Sequence, residues 1–154
     1  MMEEENFDAD EWLRSFWPAE WVVAEPPGSY GQPHRPRNPV VEETFDLASR
    51  VMDYAEVLEK RNATFADQIL RSGTSVGSHT REGQGAESLA DFHHKMKIAH
   101  KELEETDYRL ALCHLKAHYP HDPELVARTK RLFPLFNSIL STTKQRLNQQ
   151  RKRT

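Results

Sequence analysis

The chain has 154 residues, of which 37% are hydrophobic and 29% charged, and its formal net charge is −3. That length suits one domain with a single core, and the charge-rich balance fits an elongated helical protein better than a large globule. It holds no run of eighteen apolar residues and no basic stretch leading into an apolar one, so no membrane span or signal peptide is read and a soluble cytoplasmic protein with no membrane partner is expected. The lone Cys113 excludes an internal disulfide and a four-cysteine zinc site.

Residues 1–25 form an acidic arm, with eight acids against the single base Arg14 and all three tryptophans of the chain. Within it, Trp12, Leu13, Phe16 and Trp17 can line one side of a short helix ended by Pro18. Residues 26–39, "PPGSYGQPHRPRNP", hold five prolines and two glycines. They are read as a linker, because so many prolines forbid a helix or an inner strand.

Residues 40–150 read as four helical segments. Asn38 caps the first, with Pro39 at its first position, and Phe45, Ala48, Met52, Ala55 and Leu58 recur at spacings of three and four. The second opens on Thr64 with Asp67 three residues on, a variant capping box, and its stripe is Phe65, Ile69, Gly73, Val76 and Thr80. The third opens on Ser88 with Asp91 in the same relation. Phe92, Met96, Ala99, Leu103, Thr106, Leu110 and Cys113 then alternate four and three apart for three heptads, the strongest periodic signal in the chain. The fourth starts at Asp122 and Pro123, carries Leu125, Leu132, Phe136, Ile139, Thr143 and Leu147, and should kink or divide at Pro134 near Leu132. Short connections between the segments predict an all-α, antiparallel up-down-up-down four-helix bundle with an extended N-terminal arm.

Four of the six glycines fall between residues 70 and 88. A glycine inside a helix costs about 1 kcal/mol relative to alanine. Gly73 and Gly77, four apart, are expected to let another helix approach, and Gly83 and Gly85 to end the second helix and form the following turn.

The stretch "ADQILRSGTSVGSHTREGQGAES" followed by "DFHHKMKIAHKELEETDYRLAL" resembles the bacterial four helix bundle proteins known from open reading frames within intervening sequences of large-subunit ribosomal RNA genes. The resemblance covers about residues 40–148 and is strongest at Arg71–Gly77, Arg81–Glu87, Asp91–Phe92 and Glu102–Leu110. It implies an all-helical bundle that assembles into a homopentameric ring. A related branch, the accessory proteins of diversity-generating retroelements, implies a basic pentameric barrel that binds a reverse transcriptase and nucleic acid. The arm and the linker are not part of the usual family pattern.

Glu102, Glu105 and Arg109 sit beside the third stripe, where acid/base chemistry is conceivable, but ion pairing with Arg71 or Arg81 across a helix or subunit boundary is the preferred reading. Arg71, Gly73, Gly77, Arg81, Glu102, Glu105 and Arg109 are accordingly assigned to bundle or oligomer packing. His114 and His118 would share a helical face beside Cys113 and His121, and His93, His94 and His100 read as solvated positions. With neither an HExxH nor a paired-cysteine spacing, no metal or other cofactor is expected. "GTSVGS" lacks the lysine and the preceding strand of a phosphate loop, and no nucleophile elbow surrounds Ser75 or Ser78, so no enzyme is read.

After Glu124 no acid remains, while Arg128, Lys130, Arg131, Lys144, Arg146, Arg151, Lys152 and Arg153 add eight positive charges. Displayed on a ring, they predict weak, salt-sensitive contact with RNA or DNA phosphates without sequence readout. Trp12, Phe16, Trp17 and Trp21 are expected to anchor the arm on its own or a neighbouring subunit, with its acids near the basic helix. The alternative is an adaptor whose arm recruits a protein partner.

Overall fold

The computed structural model describes residues 38–153. Among them four helices follow one another: α1, Pro39–Glu59; α2, Ala63–Gly83; α3, Leu89–His114; and α4, Pro123–Arg153. No strand occurs among the described residues, so the fold is an all-α four-helix bundle. The acidic arm with Trp12, Phe16, Trp17 and Trp21 lies outside the described residues. Of the linker only Asn38 and Pro39 are described, and Pro39 is already the first residue of α1.

Local chemistry sets each helix start. Pro39 opens α1 because its missing N–H falls where no intrahelical acceptor exists. Asn38 does not use its side chain as a cap; its Nδ2 donates to Gln84 Oε1 at 2.7 Å and ties the start of α1 to the end of α2. The expected Thr64 cap of α2 is corrected to Asn62, whose Oδ1 accepts the Phe65 N–H at 3.0 Å. Asn62 also donates its own N–H to Leu58 O, so it belongs to the turn that closes α1 and the next helix begins at once. Ser88 Oγ caps α3 through the Asp91 N–H, and Asp122 Oδ1 accepts the Leu125 N–H in the first turn of α4. Pro134 does not divide α4, which runs as one helix from Pro123 to Arg153. Leu132, Phe136 and Ile139 are buried on both sides of it and hold the segment helical despite the lost N–H.

Contacts between successive helices run in opposite order along the two segments. Gly73 faces Val51 and Gly77 faces Thr44; Gly83 faces Met96 while Ser72 Oγ lies 3.0 Å from Thr106 Oγ1. Lys130 reaches Asp107, and Thr143 reaches His93. Each helix therefore doubles back on the one before. α4 closes the bundle against α1, where Arg128 lies 3.7 Å from Asp46 and Arg50 pairs with Asp122.

The α3 stripe is buried at every expected position, with Leu89 added. The α1 stripe is displaced by one residue from the expected phase. Val40, Thr44, Leu47, Val51, Tyr54, Ala55 and Leu58 are buried, whereas Phe45 is 67% and Met52 53% exposed. Buried hydroxyls on Thr44, Thr80, Thr106, Thr129 and Thr143 each reach the carbonyl four residues back, at 2.7–2.9 Å, so they enter the core without an orphan donor.

The glycines divide by purpose. A Cβ at Gly73 would stand 2.6 and 2.7 Å from the two methyl groups of Val51, and one at Gly77 would stand 3.1 Å from the backbone carbonyl of Thr44. Gly83 serves packing too, since its Cβ would lie 2.6 Å from Met96 Cε. α2 ends in ordinary right-handed backbone at Gln84 rather than on a left-handed glycine.

Candidate functional site

The eight bases of α4 fall into two groups. Arg128 lies 3.3 Å from Glu124, 3.7 Å from Asp46 and 4.0 Å from Glu43. Lys130 meets Asp107 at 2.7 Å and overlies the Phe133 ring, and Arg131 lies 3.7 Å from Glu124. These three lace α4 to α1, to α3 and to its own first turn. Lys144, Arg146, Arg151, Lys152 and Arg153 lie farther on, exposed on the last turns. His93 marks the level of Thr143, four residues after α3 begins. From there α4 runs another ten residues, about 15 Å, whereas α3 has only about 6 Å of helix left. The end of α4 thus overhangs the bundle and carries only positive charge.

The packing residues are only partly brought together. Within the chain Arg71 pairs with Asp67 of its own helix, at 2.8 Å, rather than with a glutamate of α3. Arg81 is exposed. Arg109 NH2 meets Glu105 at 3.0 Å one turn back, and its NH1 is buried without a hydrogen-bond partner. Glu102 uses its backbone carbonyl to accept from Thr106, and its side chain is half-buried. These residues make two charge-assisted pairs, each within its own helix: Arg71 with Asp67 on α2 and Arg109 with Glu105 on α3.

Two histidines read as solvated are instead built into the α3–α4 seam. His100 packs edge-on against Phe133 and Phe136, with ring centroids 5.7 and 6.0 Å away. His93 contacts Thr143 through Nδ1. Thr143 Oγ1 also lies 2.8 Å from Ile139 O, so the imidazole tautomer sets which of the two side chains donates. Burial, and then Lys97, Lys144 and His94, hold the His93 ring below the usual imidazole range. His118 does not share a helical face with His114, because α3 ends there; His114 stacks near His121 instead. No group of three or more His, Cys, Asp or Glu side chains converges as a metal site among the described residues.

Where α3 turns into α4, the Tyr54 hydroxyl donates to Pro120 O at 2.8 Å. Burial raises the Tyr54 phenol and the Cys113 thiol above their ordinary ranges, which keeps the sulfur a protonated core atom. Burial alone would raise the Asp122 carboxyl, but Arg50, bidentate at 2.9 and 3.0 Å, and the backbone N–H groups of α4 hold it below the usual carboxylate range. This junction is a structural clasp that the sequence reading missed, since Arg50 and Asp122 lie 72 positions apart.

One apolar surface also escaped the sequence reading. Phe45 and Met52 lie on the outward side of α1, and Met52 borders a groove of about 210 Å³ between α1 and α2, lined also by Ala55, Glu59, Ala66 and Leu70. No helix of the described residues is long and apolar enough to cross a membrane.

Residues 37–132 match the family described as 23S rRNA-intervening sequence protein. Among solved structures, the chain is similar to a protein of unknown function from the S23 ribosomal protein family of Bacteroides thetaiotaomicron. The two are 31% identical with a TM-score of 0.62, over 66% of this chain and 97% of that one. No curated protein matches the chain. The family match contains neither the tryptophans of the arm nor the last five bases of α4.

Proposed function

The chain belongs to the 23S rRNA-intervening sequence protein family, and from that premise we propose a non-enzymatic, ring-forming bundle, a homopentamer, that holds RNA through phosphate contacts. The observation that carries this reading is the overhanging end of α4. Lys144, Arg146, Arg151, Lys152 and Arg153 are all exposed there, and the helix has no acid after Glu124. A cationic rod end offers point charges but no aromatic platform, so it suits backbone contact without base readout. Assembly multiplies such contacts, and the outward Phe45 and Met52 supply apolar surface for a neighbouring copy. Arg128, Lys130 and Arg131 lie back on the body of the bundle, beside Asp46, Asp107 and Glu124, and are left out of the RNA surface.

The test is a titration of labelled single-stranded RNA at two salt concentrations, on full-length protein whose mass has been fixed by light scattering. The expected results are a pentamer mass and an affinity that falls with salt and drops at least about tenfold in Lys144→Glu/Lys152→Glu/Arg153→Glu. Equal affinity of wild type and variant would remove the RNA reading, and a monomer mass would remove the ring.

A further inference from the structure

Residues 1–37 join the described fold at Asn38, and the geometry of that junction bears on what covers the end of α4. Asn38 is fastened to Gln84 at the end of α2, and the adjoining Gly83 packs on Phe92 and Met96 of α3. His93, next to Phe92, touches Thr143. The N-terminal segment therefore enters the bundle at the end from which α4 projects, a few side chains away from its basic turns.

Charge and composition complement each other across that short path. The last ten residues of α4 carry five bases and no acid, and residues 1–25 carry eight acids and one base. After burial, the next causes holding the His93 ring low are Lys97, Lys144 and His94, which marks the local field as positive. Leu147 is half-buried on this part of α4, and Leu140, before Thr143, is half-buried at the edge of the core, while Trp12, Trp17 and Trp21 all lie in the acidic segment. Reach is sufficient: residues 26–37, twelve in number, span about 37 Å if extended as polyproline helix, more than twice the overhang.

We infer that residues 1–25 dock on the basic end of α4 of their own bundle, with their acids against Lys144, Arg146 and Arg151–Arg153 and their tryptophans over Leu140 and Leu147. The arm is then a built-in competitor for the surface assigned to RNA. The competition rests on the RNA reading; the docking does not.

Residues 38–153 contain no tryptophan, so tryptophan emission of the full-length protein, excited beyond the tyrosine absorption band, reports on the arm alone. Docking predicts blue-shifted emission protected from acrylamide. In Lys144→Glu/Lys152→Glu/Arg153→Glu the emission should move to the red and quench more readily, and the corresponding triple Gln variant should move the same way by less. Circular dichroism checks that helix content is kept; if the Glu variant loses it, the Gln variant decides. Emission of water-exposed indole in the wild type, or shielded emission that neither variant moves, would overturn the inference. Adding single-stranded RNA separates the two ideas. A red shift on RNA addition supports both, whereas charge-sensitive emission that RNA leaves unchanged keeps the docking and sinks the RNA reading.

Discussion

The α1–α2 seam and the α3–α4 seam solve the same packing problem by opposite means. In the first, Gly73 and Gly77 remove side chains so that Val51 and the Thr44 backbone press against the α2 main chain. In the second, Phe133, Phe136 and His100 interleave as large rings, and a histidine–threonine hydrogen bond closes the end. A seam made by absence tolerates no added atom. A seam made by bulky and titratable groups suffers from deletion and responds to pH.

The largest effect should come from deletion in the ring seam. Phe136→Ala, at a fully buried position, is expected to destabilise the bundle by about 3–5 kcal/mol, measured by urea unfolding. Addition in the glycine seam comes next. Gly73→Ala gains about 1 kcal/mol of helix propensity but drives a Cβ into the stiff Val51 side chain, a clash worth about 1–3 kcal/mol. A net loss is expected, and Val51→Ala in the same chain should recover part of it. If Gly73→Ala stabilises instead, the two helices are not pressed together as described.

The seams also differ in their expected response to acid. His93 titrates below its unfolded value, so the unfolded chain takes up the proton first as pH falls through about 6.5, and stability drops from there toward the folded pKa. His93→Gln should flatten that part of the pH–stability curve, whereas Gly73→Ala should shift the whole curve without changing its shape. Asp122 adds a second step at lower pH. Its depressed pKa contributes stability above the unfolded carboxylate value, which is lost as pH falls through the folded one. Asp122→Ala should remove that step and cost about 1 kcal/mol through the lost cap.

Arg71→Ala should have the smallest effect. Its pair with Asp67 is exposed, 77% and 57% at the two side chains, and an exposed i,i+4 pair contributes about 0.3–0.5 kcal/mol. A larger loss, or a change in oligomer mass, would place Arg71 at a subunit contact.

The sequence by itself determined that residues 38–153 make four helices and which side of α3 faces inward. Its 4-3 repeat has only one apolar stripe, so periodicity leaves no choice of phase. It also determined the Ser88 cap, which depends on atoms three residues apart, and the charge contrast between the two ends of the chain. α1 shows where such reading stops. Two interleaved stripes, Thr44–Leu47–Val51–Tyr54 and Phe45–Ala48–Met52, both have helical spacing and share Ala55 and Leu58. Only the flat glycine face of α2, which admits Val51 and the Thr44 backbone, selects the first. The same limit hid the Arg50–Asp122 clasp and the placement of His100 among phenylalanines, because each depends on how helices distant in sequence meet. The eight bases of α4 read as one run along the chain, but the tertiary structure separated them. Arg128 and Lys130, on the body of the bundle, pair with acids of α1 and α3, and Arg131 with Glu124 of its own first turn, while the last five bases stand exposed on the projecting turns.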